Sequence, residues 1–249
     1  MRFVNYFTLL ILLLLVVSVN GYSLTNDEIL QKIDEYHLIA SDFEMTIRVE
    51  SFKNNHFDNT TLMKCYVNDG KIASLNFLEP ENMKGRKIVV KDNDMWLIIP
   101  KVKNPIHITP SQRLVGGISF SDIAGVKFAE NYIAKINGEE VITGLNAEGN
   151  KTDISNNCLV MELSTNDTRS NYHKIIMWAD KQSFLPVKAD FFALSGKKMM
   201  TVYYTSPKVW EGRLILTKMY LFDQINTSKY CTVEYSEIKM LQFDNNYEN

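Results

Sequence analysis

The side chains that could act as nucleophiles, bases or metal ligands are few, and their spacing joins none of them into a working set. The four histidines are His37, His56, His107 and His173. A zinc site needs several His, Cys or carboxylate ligands at helical or loop spacing, as in an HExxH helix. No histidine here has a His or Glu at that spacing. His37 falls near the end of the first expected helix, where it reads as a surface partner of the helix dipole. His107 sits in a Pro-bounded loop. Cys65, Cys158 and Cys231 are odd in number and far apart, each in an apolar or alternating stretch where a thiol packs as a small hydrophobe. One long-range bridge plus a free thiol stays open, and the sequence does not choose the pair. The run Gly117-Ile118-Ser119-Phe120-Ser121 has the outline of a nucleophile elbow without its second glycine. The strained turn needs a small residue on both sides of the serine, so Ser119 reads as a helix cap. Asp92-Asn93-Asp94 has turn composition but lacks the glycine and distal glutamate of a calcium loop. No P-loop and no GxGxxG occurs. The expectation is a protein that is not an enzyme and holds neither metal nor cofactor.

The elements that would position any site are mostly strands. Phe43, Met45, Ile47 and Val49 alternate with polar residues, which describes a strand with one buried and one wet face. Met63, Cys65 and Val67 mark a second strand, Asn68-Asp69-Gly70-Lys71 a hairpin turn, and Ala73, Leu75 and Phe77 a third. The chain resumes at Arg86 to Lys91, turns at Asp92-Asn93-Asp94 and returns through Met95 to Ile99. Later strands are expected near Cys158–Leu163, Tyr172–Ala179, Leu185–Ala193, Met199–Thr205, Leu214–Phe222 and Tyr230–Met240, with a turn at Ser195-Gly196-Lys197. Thr25 and Glu28 have the spacing of a capping box, and Ile29, Ile33, Tyr36 and Ala40 fall on one face of the helix that follows. A second helix is expected over Ser119 to Tyr132. The fold class is α+β, mostly β: a strongly curved antiparallel sheet of roughly ten strands with a few helices against one face. Such a pattern excludes a doubly wound parallel fold.

The amino terminus reads as an address. Arg2 precedes the apolar run Phe7 to Val19, and Val19 and Gly21 fill the small positions before a cut near Tyr22. A spanning helix needs about 20 apolar residues, and this run is shorter. The expected organisation is a signal peptide over residues 1–21 and one domain over residues 22–249. The net charge of -2 excludes a nucleic-acid binder acting through a broad basic field. Mean hydropathy of -0.15 argues against a polytopic membrane protein. Asn59, Asn150, Asn166 and Asn226 each open an Asn-x-Ser/Thr triplet, which matters only if the chain passes through a glycosylating pathway.

Large apolar side chains are the informative residues, because they spread over many strands. A curved sheet closing over few helices encloses an apolar space, and such spaces hold ligands. The candidate lining residues are Phe43, Met45, Ile47, Phe77, Trp96, Ile98, Phe120, Ile176, Trp178 and Phe191. Within this set Trp96 and Ile98 share a strand face, as do Ile176 and Trp178. The alternative for each is an ordinary place in the core.

Several stretches together resemble the outer-membrane lipoprotein-sorting proteins, the LolA-like group. Lys87 to Pro100 is similar to their strand–turn–strand, and Phe77-Leu78-Glu79-Pro80 to the strand end before it. Ile108 to Arg113, Gly116 to Ile123 and Tyr132 follow in the family's order. His173 to Lys181, Pro186 to Phe192 and Gly196 to Met199 extend the match. The likeness covers most of the chain from Phe43 onward and is nearest to the family's uncharacterised branch. It implies an unclosed antiparallel β-barrel capped by short helices, with acyl chains held in an apolar cavity. It also implies transfer of lipid or lipoprotein between the membranes of a two-membrane bacterium. The well-studied carriers place an Arg before the Pro of the early strand, where it holds the lid. Glu79 stands there in this chain, so that role does not transfer; Arg86 and Arg113 are the nearby cations considered in its place.

The leading expectation is a periplasmic carrier or chaperone, monomeric, that buries acyl chains of a lipoprotein or lipid and meets an inner-membrane transporter. The rival of a different class is a non-catalytic interaction module of an envelope exporter or stress-sensing complex. A third is an exported hydrolase using Ser119.

Overall fold

The structure is a computed structural model that describes residues 24–37, 42–68, 71–91, 94–109, 112–115, 118–119, 122, 127–167 and 170–241. Helix α1 (Asn26–Asp34) starts as its sequence requires. The Thr25 hydroxyl accepts from the Glu28 amide at 3.3 Å, and Glu28 Oε2 accepts from the Thr25 amide at 2.7 Å. These bonds hold the Glu28 carboxyl below its usual range. Ile29, Leu30 and Ile33 are buried, and Tyr36 packs beside them half-buried. Ala40 lies outside the described residues.

The strands run β1 (Phe43–Lys53), β2 (His56–Asn68), β3 (Lys71–Glu79), β4 (Lys87–Lys91), β5 (Asp94–Ile98), β6 (Ile106–Ile108), β7 (Arg113–Val115) and β8 (Ile118–Ser119). A one-turn helix α2 (Phe128–Asn131) follows. Then come β9 (Ile133–Leu145), β10 (Lys151–Ser164), β11 (Lys174–Asp180), β12 (Pro186–Phe192), β13 (Lys198–Trp210), β14 (Arg213–Asp223) and β15 (Lys229–Met240). Thirteen strands form one sheet in the order β6-β5-β4-β3-β2-β1-β15-β14-β13-β12-β11-β10-β9, and β7 pairs with β8 apart from it. Each half is a meander of neighbouring hairpins. The halves meet where the first strand pairs with the last, from Phe43 opposite Met240 to Lys53 opposite Lys229. The sheet is curved, antiparallel and not closed, since β6 and β9 end it on opposite edges.

The expected hairpins have their physical causes in place. Asn68 pairs with Lys71 and Lys91 with Asp94, which leaves two residues for each turn. Those turn residues, Asp69-Gly70 and Asp92-Asn93, lie outside the described residues. Gly196 turns the β12–β13 hairpin at φ 80°, with its amide bonded to Ala193 O. The expected second helix is described only in part. Within the expected Ser119–Tyr132 span Asp122 is helical and Phe128 to Asn131 form a helix, while Ser119 lies in β8; residues 120–121 and 123–126 lie outside the described residues. Strand β9 carried no alternation and was not expected. Its burial is broken, with Ile133 and Val141 exposed and Gly138 at φ 146°, as suits an edge strand with solvent on one side.

The core is the inner face of the curved sheet closed over α1 and α2. It runs continuously from Met95 and Ile88 through Phe43, Ile47 and Val233 to Met177 and Leu163, with Ile29, Leu30, Ile33 and Phe128 packed into the concavity. Asp34 joins the two helices. Its carboxylate accepts from the Phe128 and Ala129 amides at 2.9 and 2.8 Å, satisfying orphan donors at the start of α2. Among the described residues no helix is long and apolar enough to cross a membrane.

Candidate functional site: the inner face of the sheet

Strand parity decides which side chains reach the interior. On β1 the odd residues Phe43, Met45, Ile47 and Val49 point inward and are 0–3% exposed. Opposite them Met63 and Cys65 on β2 and Leu75 and Phe77 on β3 complete one wall. The other wall is Met161 and Leu163 on β10, Ile175 and Met177 on β11, Ala189 and Phe191 on β12, and Met200 and Val202 on β13. Seven methionines lie in this core: Met45, Met63, Met95, Met161, Met177, Met200 and Met219.

Of the residues expected to line the interior, Phe43, Met45, Ile47, Phe77 and Phe191 lie together in this core. Four others are on the opposite face. Trp96 and Ile98 are 38% and 37% exposed, while Met95 and Leu97 take the inward positions of β5. Ile176 and Trp178 alternate with the buried Ile175, Met177 and Ala179. Trp178 donates to Glu140 at 2.6 Å and lies under the Lys188 ammonium, 4.1 Å from ring centre to nitrogen. Its indole thus has a polar partner that an apolar interior would not supply. Phe120 lies outside the described residues.

Several polar groups are drawn into the packing, and Thr61 Oγ1, Asn76 Oδ1 and both His173 ring nitrogens are buried without a hydrogen-bond partner. His37 is half-buried rather than on the open surface. Its Nε2 is cut off from solvent, and its ring meets the Phe128 and Tyr204 rings edge-on at 5.6 and 4.9 Å. Burial lowers its pKa to about 4, so the ring is neutral. Burial raises Asp34 to about 6, against the pull of its two backbone donors. The cysteines are free and buried, and desolvation pushes Cys65 up to about 12, Cys158 to about 11 and Cys231 higher still. None is poised as a thiolate nucleophile. Ser119 is 5% exposed and forms a reciprocal cap with Asp122. Its hydroxyl donates to Asp122 Oδ2 at 2.7 Å and accepts from the Asp122 amide at 3.3 Å. Tyr172 donates to the other Asp122 oxygen at 2.8 Å. Arg86 donates to the Asn82 carbonyl within the turn after β3, at 3.0 Å. Among the described residues no group of His, Cys, Asp and Glu converges as a metal site.

The outer face carries a groove of about 570 Å³ between β1, β15, β14 and β13, lined by Glu50, Phe52, Lys218, Tyr220, Tyr230 and Glu234 among others. The β9–β10 hairpin tip roofs it: Tyr220 Oη and Lys218 Nζ both donate to Ala147 O at 2.9 Å. Its charged lining is unlike the inner face and is unsuited to an acyl chain.

Residues 70–247 match a protein family described only as uncharacterized protein-like. No curated protein matches the chain. Among solved structures, a LolA superfamily protein from Nitrosomonas europaea aligns with a TM-score of 0.76 and 24% identity, covering 89% of this chain and 96% of that one. An outer membrane lipoprotein-sorting protein domain from Vibrio parahaemolyticus aligns at 0.68 and 20% identity, over 90% and 94% of the two chains. A DUF1329 family protein from Desulfovibrio piger aligns at 0.68 and 17%, over 86% and 91%. At these identities the likeness is one of fold, and the fold is LolA-like.

Proposed function

This chain belongs to the uncharacterized protein-like family matched over residues 70–247, and from its LolA-like fold we propose that it is a carrier of acyl chains rather than an enzyme. The observation that supports this reading most is the inner face itself. One apolar surface passes unbroken through both halves of an unclosed sheet, and among the described residues two short helix segments and Ile118 of the β7–β8 pair pack against it. Its methionines add adaptability, because an unbranched thioether repacks around chains of differing length and branching. Each methylene moved from water to that face contributes about 0.8 kcal/mol, so an acyl chain binds firmly without a polar anchor. Entry would use the space that α1 and α2 fill in this structure. Phe43, Met45, Ile47, Phe77 and Phe191 are the proposed contacts among the residues singled out from sequence, joined by Met95, Leu97, Ile175 and Met177.

The reading includes export to a periplasm after cleavage near Tyr22, a single binding domain from residue 22 onward, and lipid or lipoprotein as cargo. The test is to purify the full chain from a host with membranes and examine it by native mass spectrometry and lipid extraction. Co-purifying acylated lipid, or displacement of a fluorescent fatty acid from the interior, supports the proposal. A protein that emerges lipid-free and takes up no acyl probe refutes it.

A further inference from the structure

The β5–β6 hairpin stands at the sheet edge with an unusual surface. Every residue from Pro100 to His107 is exposed, and β6 is the terminal strand. The exposed residues are apolar to an extent a free loop does not need. Val102 is 49% exposed, Ile106 46%, Trp96 38% and Ile98 37%. They do not form one flat patch. Trp96 pairs with His107 and points outward, Leu97 pairs with Ile106 on the inner side, and Val102 is at the tip between the strands. The end of the hairpin is therefore apolar on both faces.

Cations surround that tip. Lys101 and Lys103 flank Val102, with Lys101 held at φ 68° in the turn. Asp94 lies at the base of the hairpin, 3.0 Å from His107 Nε2, and from there to Asp122 the sequence has no other Asp or Glu. The turn after β3 lies alongside, since a Cβ on Gly85 would stand 3.2 Å from Pro100 Cγ. That neighbour adds Lys84 and Arg86, although Lys84 shares its charge with Glu81 at 3.3 Å.

We propose that this hairpin is a membrane-docking finger for an anionic lipid bilayer, with Val102 and Ile106 entering the headgroup layer and Lys101 and Lys103 meeting lipid phosphates. A protein groove covers one face of a hairpin and leaves the other apolar face wet, whereas a bilayer surface receives both. Lysines at the rim keep their ammonium groups among the headgroups while their stems lie along the acyl boundary. A tryptophan at the base of the finger has the amphipathic ring that favours that boundary. The inference does not depend on what fills the interior. It gives the chain a surface for meeting a membrane whatever its cargo.

Vesicle sedimentation with the full chain tests it. The wild type should pellet with phosphatidylcholine vesicles containing phosphatidylglycerol, and about tenfold less with phosphatidylcholine alone or in high salt. Each lysine near an anionic surface accounts for about fivefold in binding, so the double variant Lys101→Glu, Lys103→Glu should weaken it by at least about tenfold. Val102→Asp should weaken it similarly while leaving the melting curve unchanged, because the residue stands 49% exposed at the hairpin tip and is no part of the core. Tryptophan emission should shift to the blue on adding anionic vesicles, and Trp96→Phe should remove that shift. A wild type that stays in the supernatant overturns the proposal, as do Val102→Asp and lysine variants that pellet like wild type. Fatty-acid uptake by Val102→Asp should be unchanged, so this proposal and the carrier reading fail separately.

Discussion

Asp34 and His37 lie one helical turn apart, and burial moves them in opposite directions relative to folding. With Asp34 raised from 3.8 to about 6, the folded chain holds a proton across that window which the unfolded chain has released. Its contribution therefore makes stability fall as pH rises from about 4 to about 6. With His37 lowered from 6.5 to about 4, the unfolded chain takes up a proton across that window which the folded chain refuses. Its contribution makes stability fall as pH drops from 6.5 to about 4. Each slope approaches about 1.4 kcal/mol per pH unit, so in the wild type the pair largely cancels between pH 4 and 6. Asp34→Asn should break the balance and steepen the loss of stability on acidification. His37→Leu should leave the Asp34 term alone and flatten or reverse that loss. Urea midpoints against pH for the three proteins check this, and three parallel profiles would refute it. Carboxylates held low by hydrogen bonds, such as Asp180 and Glu237, add an acid-side loss common to all three and drop out of the comparison. Removing the Asp34 carboxyl altogether, as in Asp34→Ala, leaves the Phe128 and Ala129 amides without their acceptor and should lower stability by about 1–2 kcal/mol at pH 7.

Among the elements, the β9–β10 hairpin shows how a single glycine fixes one piece of structure on another. Gly149 sits at φ 84°, and a Cβ there would lie 2.7 Å from Cε1 of the Tyr220 ring. That ring is 6% exposed and tied by its hydroxyl to Ala147 O, so it cannot swing aside cheaply. Gly149→Ala should cost about 2 kcal/mol, from left-handed backbone strain and overpacking together. Tyr220→Phe, which removes one hydrogen bond and keeps the ring, should cost about 1 kcal/mol. Chemical denaturation gives both values, and hydrogen exchange should show the opening confined to residues 145–151 in the glycine variant. Nothing in sequence announced this contact, which joins elements 70 residues apart. Strand β1 is legible because a polar residue separates each apolar one from Phe43 to Val49, and the parity of Phe43, Met45 and Ile47 follows. The runs Met95 to Ile99 and Ile175 to Ala179 are almost wholly apolar, so their alternation is silent. Choosing the tryptophan as the inward residue in each run placed Trp96 and Trp178 on the wrong face. His37 was hidden for a related reason: what buries it is Phe128 and Tyr204, distant in sequence.

At the scale of the whole molecule, the carrier reading makes a demand that packing alone does not. The concavity is filled by Ile29, Leu30, Ile33 and Phe128, so a guest must displace some of that surface. Helix α1 is held at its far end by Tyr36. The Tyr36 hydroxyl donates to Ser183 O at 2.6 Å, and the Tyr36 carbonyl accepts from the Leu216 amide at 2.9 Å. At its near end Asn26 donates to Ala134 O at 3.0 Å. If cargo enters by moving α1, the free energy of releasing these ties is subtracted from the free energy of binding. Tyr36→Phe removes one tie without changing a buried apolar contact. It should lower global stability by about 1 kcal/mol and, by the same amount, ease release of the helix. Apparent affinity for a fluorescent fatty acid should then rise by up to about fivefold, although the protein has become less stable. Ordinary damage to a binding site gives the reverse correlation, with stability and affinity falling together. Titration of wild type and Tyr36→Phe with the same probe therefore separates a covered cavity from a plain core. Tighter binding in the weaker protein means that α1 gives way to cargo; equal affinity means that acyl chains enter elsewhere.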